Sequence, residues 1–158
     1  MTRPRENGFS LIELLIAVAI ILIIAAIAIP SLMHSRMAAN EASAVGLLHA
    51  INTACANFSA SYDGSYPDSL ADLGPSSTPS STAADLLDSV LSSGIKSGYI
   101  FSFTPGPAGP SGLISSYTVT ADPITPGGTG QRGFYTDQSF VIRVNVSGTA
   151  SSSDSPIS

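Results

Sequence analysis

The chain has 158 residues, 44% of them apolar, with 6 basic and 11 acidic side chains, enough for one domain with appendages and not for two. From Ala60 onward three basic residues stand against eight aspartates, so the chain offers no basic face of the kind that phosphate neutralisation requires. Cys55 is the single cysteine, which excludes an intrachain disulfide and a cysteine-based zinc site; it reads as a small buried apolar filler.

The chain opens with a short charged stretch holding Arg3 and Arg5, then runs apolar from Leu11 to Ile29 with Glu13 as the one interruption. At 1.5 Å per residue, such a run spans a hydrocarbon core of about 30 Å. One reading is a secretory signal peptide, with Ala26-Ile27-Ala28 as a small-x-small cleavage site. The run is longer than the usual ~7–15 residues, however, and a carboxylate lies inside it. A second reading is a plain single-pass anchor. Arg3 and Arg5 precede the span and only Arg36 follows closely, which places the N-terminus inside. That reading leaves Glu13 unexplained, since a carboxylate at the bilayer centre costs about 2.5–3.5 kcal/mol and less near an interface.

A third reading takes Gly8 and Glu13 together. The stretch Gly8-Phe9-Ser10-Leu11-Ile12-Glu13-Leu14-Leu15 resembles the class III signal of type IV pilins and the pseudopilins of type II secretion. The resemblance implies a membrane peptidase that cuts between Gly8 and Phe9, removing a leader of residues 1–8, and N-methylation of the new terminal Phe9. Pro30, at the end of the apolar segment, matches the family as well. Cleavage creates a charged amine on Phe9, which is itself costly in lipid. Phe9 and Glu13 are spaced i, i+4 and share a helix face. Opposite charges about 4 Å apart gain roughly 4 kcal/mol at an effective dielectric near 20. Whether Glu13 meets its own chain's amine or a neighbour's stays open from the residues; the resemblance favours a neighbour, which would give packed helices a register.

Beyond the span, Val45, Leu48, Ile51, Cys55, Phe58 and Tyr62 form one apolar stripe at helical spacing, with Asn52, Asn57, Ser59 and Ser61 on other faces. The spacing predicts a helix through residue 62, kinked or locally melted at Pro30 because proline lacks an N–H and clashes with the carbonyl of residue 26. Asp63-Gly64 ends it, with glycine as the left-handed terminator. Gly64 to Gly74 reads as a loop pinned by Leu70 and Leu73, and its Tyr66-Pro67 looks like the loop that follows the long helix in many pilins. Pro75 to Ser81 has linker composition. Thr82 with Asp85 three residues on predicts a helix to about Ser93, with Leu86, Leu87, Val90 and Leu91 inward.

Strands follow. Gly98–Thr104 and Ser116–Ala121 have strand character, Pro105–Gly112 and Asp122–Gln131 are loops, and Arg132–Tyr135 with Phe140–Val146 frames a hairpin around Thr136–Ser139. The run from Tyr117 to Arg143 resembles the C-terminal sheet of pilin-like proteins. Ser147–Ser158 reads as a Ser-rich flexible tail.

No catalytic set emerges. His34 and His49 lie 15 residues apart on one predicted helix, about 22 Å along its axis, and both read as surface or interface residues. No metal site is expected: Asp63, Asp68 and Asp72 lack an EF-hand pattern. Major pseudopilins typically carry a calcium-binding loop after an Asp-Pro-Trp-Gly-like segment, but this chain has no tryptophan and continues Asp122-Pro123-Ile124-Thr125. Asn57-Phe58-Ser59 and Asn145-Val146-Ser147 match the glycosylation pattern by chance composition.

The whole predicts an α+β protein: leader 1–8, membrane and filament-core helix 9–30, amphipathic continuation 31–62, a head of 63–146 with a three- to four-stranded antiparallel sheet, and tail 147–158. Small residues at Ala17, Ala19, Ala25, Ala26 and Ala28 allow close helix approach. The resemblance implies a structural filament subunit, not an enzyme, with no cofactor and no nucleic acid. Its implied partners are identical or homologous pilin subunits, a prepilin peptidase, an inner-membrane assembly platform and, before assembly, the lipid bilayer. The implied location is the inner membrane and then a surface pilus. The alternatives are a pseudopilin of a type II secretion system and a membrane-tethered domain that never polymerises.

Overall fold

The computed structural model describes residues 9–157. Helix α1 (Leu11–Ser61) runs for 51 residues, and the chain divides into two compact units that meet between Ser35 and Arg36.

In the first unit α1 passes unbroken through Pro30. The expected melted turn is absent, because one proline removes a single N–H from the ladder while the flanking residues are good helix formers in an apolar run. The large apolar side chains from Leu11 to Met33 are exposed, and none of them finds an apolar neighbour to hide it.

In the second unit the remaining turns of α1 lie on an antiparallel sheet of six strands in sequential order. These are β1 (Ile95–Lys96), β2 (Tyr99–Pro105), β3 (Tyr117–Pro123), β4 (Gly133–Asp137), β5 (Arg143–Asn145) and β6 (Ser155–Pro156). The two short edge strands raise the count above the three or four expected. Period-two alternation puts Tyr99 and Phe101 of β2 and Tyr117, Val119 and Ala121 of β3 on the inner face, and Phe134 of β4 joins them. Against them α1 presents Ala44, Leu48, Ile51, Cys55 and Phe58. Phe103 stacks on Tyr117 with ring centroids 5.4 Å apart, and Tyr66 meets Tyr117 edge-on at 4.8 Å. As expected, Leu70 and Leu73 pin the loop after α1, here within a short 3-10 turn.

The expected end of α1 is also met: Asp63 and Gly64 both have left-handed φ (52° and 79°), and the Gly64 N–H bonds the Ser59 carbonyl at 3.0 Å. Asn52 departs from its assignment to an outer face. It is buried, and its Nδ2 donates to Thr136 Oγ1 at 2.9 Å while the Tyr117 hydroxyl donates to its Oδ1 at 3.0 Å. Paired on both sides, the amide occupies the core without the cost of an orphaned polar group. Cys55 is buried as expected, and burial pushes its thiol up to about 12.

Three further expectations are corrected. The helix expected over Thr82–Ser93 shrinks to α2 (Ser89–Ser92), because the amides of Ala84, Asp85, Leu86 and Leu87 bond back to the carbonyls of Asp72, Gly74 and Leu73. Asp88 then caps α2, accepting from the Val90 and Leu91 amides at 3.0 Å, and Val90 is left exposed. The hairpin turn moves along the chain, since β4 continues to Asp137 in register with Thr118 and β5 starts only at Arg143. The Ser-rich tail is structured over its described residues, 147–157. Asp154 accepts from the Ser151 amide at 2.7 Å and from Asn145 Nδ2 at 3.2 Å, Ala150 is buried, and β6 pairs with β5. Composition favoured disorder, but local side-chain caps and one ladder supply what apolar content does not.

Candidate processing and assembly site

Glu13 sits in the first turn of α1, and its Oε2 accepts the Ser10 amide N–H at 3.0 Å. The Ser10 carbonyl takes the first helical bond, from the Leu14 amide at 3.2 Å. Ser10 is therefore the cap residue and Glu13 the third residue after it, the backward half of a capping box. Sequence reasoning treated Glu13 only as a charge. The signal that would have found the cap is the Ser-x-x-Glu spacing itself, read just ahead of an apolar run.

The cap matters to a carboxylate near lipid. The four leading N–H groups of a helix have no helical partner, and the helix dipole is positive at that end. Glu13 satisfies one of them and meets a favourable field, which lowers the cost of keeping a charge beside an apolar segment. Phe9 lies just before the cap and is 84% exposed. Phe9, Ser10 and Glu13 thus come together at the start of α1, Pro30 lies inside the helix about 30 Å further on at 1.5 Å per residue, and Gly8 and the leader fall outside the described residues.

From Leu11 to Met33 the large apolar side chains are between 46% and 81% exposed. Burying them at about 1.5–3 kcal/mol each is worth tens of kcal/mol. A helix apolar on all sides is stable only inside lipid or among other helices. The span meets the length and composition needed to cross a bilayer, and with the N-terminal signal it fits an inner-membrane anchored precursor.

In the second unit, sequence reasoning also missed the polar clasp between α1 and the loop leading into β4. Glu41 is buried, and accepts from the amides of Gln131 (2.8 Å) and Arg132 (3.2 Å) and from Arg132 Nε (2.8 Å). Asn40 Nδ2 donates to the Thr129 carbonyl at 2.8 Å. Burial works to raise the Glu41 carboxyl, but the Gln131 and Arg132 donors outweigh it and hold the group below its ordinary value. No apolar periodicity marks this residue; its signal is the i−3 position from Ala44 on the core-facing stripe.

The clasp gives a pH prediction. A depressed folded value means that the stability Glu41 adds is complete above the ordinary carboxylate range and is lost as pH falls through the folded value. Because the Arg132 side chain is 45% exposed, a Glu41→Gln change costs about 1–2 kcal/mol near neutrality. Melting of the full chain in detergent from neutral to acid pH checks this: the gap between wild type and variant should close on acidification, and a constant gap would show that the charge adds nothing. Gly130 packs against the Tyr99 ring and hydroxyl, where a Cβ has no room, and that hydroxyl donates to the Arg132 carbonyl at 2.9 Å. Gly130→Ala should cost about 1–3 kcal/mol through overpacking, read as a lowered melting temperature.

His34 and His49 are both exposed on α1. Among the described residues no three metal-ligating side chains converge. Asn57 is exposed, while Asn145 is tied to Asp154 and to the Ser147 amide.

No curated protein and no solved structure matches the chain. Residues 3–29 match the prokaryotic N-terminal methylation motif. With the capped acidic turn and exposed apolar helix behind it, the chain carries the class III signal that is characteristic of type IV pilins and pseudopilins.

Proposed function

We propose that this protein is the precursor of a structural subunit of a type IV pilus-like filament, cut between Gly8 and Phe9 by a prepilin peptidase and N-methylated on Phe9. The observation that carries the reading is the methylation motif fused to a helix whose large apolar side chains from Leu11 to Met33 are exposed. Before assembly the bilayer covers that helix, with the N-terminus on the cytoplasmic side. In the filament the same surface packs on neighbouring copies, and the small residues Ala17, Ala25 and Ala28 permit close approach.

Glu13 serves both states. In the precursor it caps its own helix; after cleavage it lies four residues from a new amine, and a carboxylate with two oxygens can hold the Ser10 N–H and an amine together. The amine of a neighbouring copy would fix the axial register of packed helices. Chain movement from membrane to filament needs an inner-membrane assembly platform and energy from partner machinery. The roles are structural throughout, with no reaction assigned to the chain.

Electron microscopy of material sheared from cells tests the reading. Long surface fibres containing this chain are expected. Fibres absent at native expression, with secretion defects on deletion, would instead assign the chain to a secretion pseudopilus.

A further inference from the structure

The second unit carries four described cationic side chains. Lys96 pairs with Asp88 at 2.7 Å and Arg132 with Glu41 at 2.8 Å, and Arg143 donates to the Asp154 carbonyl at 2.9 Å. Arg36 is exposed and has no partner among the described residues. At the C-terminal end of α1 a groove of about 330 Å³ opens beside the helix terminus. Its lining is mixed: the half-buried Tyr62 and Tyr66 contribute aromatic rings, and Asp63, Asp68 and Asp72 contribute carboxylates among serine and threonine hydroxyls. Asp63 and Asp68 are exposed, and neither is in an ion pair among the described residues.

The combination suits a guanidinium. A planar cation lies over tyrosine faces, and its fork of N–H donors matches carboxylates. An ammonium would use the charge but not match the forked geometry of the carboxylates. Within one chain the pairing is impossible: 25 residues of helix separate Arg36 from Ser61, about 38 Å at 1.5 Å per residue. We infer that the Tyr62–Tyr66 groove receives Arg36 of a second copy of this chain.

Such a contact joins two different patches, so it is head-to-tail, and each copy still offers a free groove and a free Arg36 to further copies. Where the rotation does not close into a ring, repetition gives an open helical array in which paired subunits are offset along α1 by about the length of 25 residues of helix, roughly 38 Å. It rests on the filament reading above and adds a second register device, within the second unit, to that of Glu13. Charge complementarity also makes it salt-sensitive, since exposed pairs are screened over about 8 Å at physiological ionic strength.

The test uses full-length chain in cells. Arg36→Cys combined with Asp68→Cys, oxidised in sheared filaments, should give a ladder at multiples of the subunit mass, whereas each single variant should not. Filaments of normal yield without a ladder would overturn the contact and leave the filament reading standing. A single adduct with a different protein would equally overturn self-pairing. If wild-type cells make no filament of this chain at all, the filament reading fails and the contact fails with it. In parallel, Arg36→Asp should cut filament yield at least tenfold, and adding Asp63→Arg and Asp68→Arg should restore it. Undiminished yield from Arg36→Asp would contradict the pairing.

Discussion

Replacing Glu13 with alanine is expected to abolish filaments while the chain is still cut between Gly8 and Phe9. The variant removes a carboxylate that accepts the Ser10 amide, and with it the only acidic group in the apolar run. Loss of a helix cap costs about 1 kcal/mol, too little to prevent membrane insertion. Loss of the charge is the larger effect. Each amine newly exposed on Phe9 would then be buried among helices without a partner, forfeiting an attraction of roughly 4 kcal/mol per contact at every subunit along the fibre. Glu13→Gln separates the two roles, because its amide oxygen keeps the Ser10 hydrogen bond while the charge is gone. Both variants should yield processed subunit in the membrane and no sheared fibre. Normal fibre yield from Glu13→Gln would assign the residue to capping alone and sink the charge pairing.

Asn52→Val is expected to destabilise the second unit by about 2–4 kcal/mol, from two stranded hydroxyl groups at about 1–3 kcal/mol each that do not add fully. Thr136 Oγ1 and the Tyr117 hydroxyl both lose their partner in the fully packed core between α1 and the sheet. A valine fills part of the space and satisfies neither group. The companion Tyr117→Phe, which removes one of the stranded groups, should cost less on top of Asn52→Val than in the wild type. Chemical denaturation of the full chain in detergent measures both. Additive losses would show that the asparagine and the tyrosine act independently.

The N-terminal signal was the most legible part of the chain, because it is written in consecutive residues: a charged leader, Gly8-Phe9, an acid four residues on, and an apolar run too long for a secretory signal. The amphipathic half of α1 was equally open, since Leu48, Ile51, Cys55 and Phe58 repeat at helical spacing and all are buried. What was hidden depends on partners distant in sequence. Asn52 looks like a surface residue until Thr136 and Tyr117 are placed beside it. Glu41 looks like a solvated charge until Gln131 and Arg132 fold back onto α1. The Thr82–Asp85 cap signal was overridden by amides that pair with residues 72–74. In the tail, composition pointed to disorder while Asp154 organised the turn through Ser151 and Asn145. Local patterns set the long helix and the strands, and tertiary hydrogen bonds set the rest.

Mass spectrometry of the mature N-terminus tests the central claim most directly. The account predicts a chain that begins at Phe9 and carries one methyl group on its amine. A chain that begins at Ile29, cut after Ala28, would contradict it and return the segment to ordinary secretion.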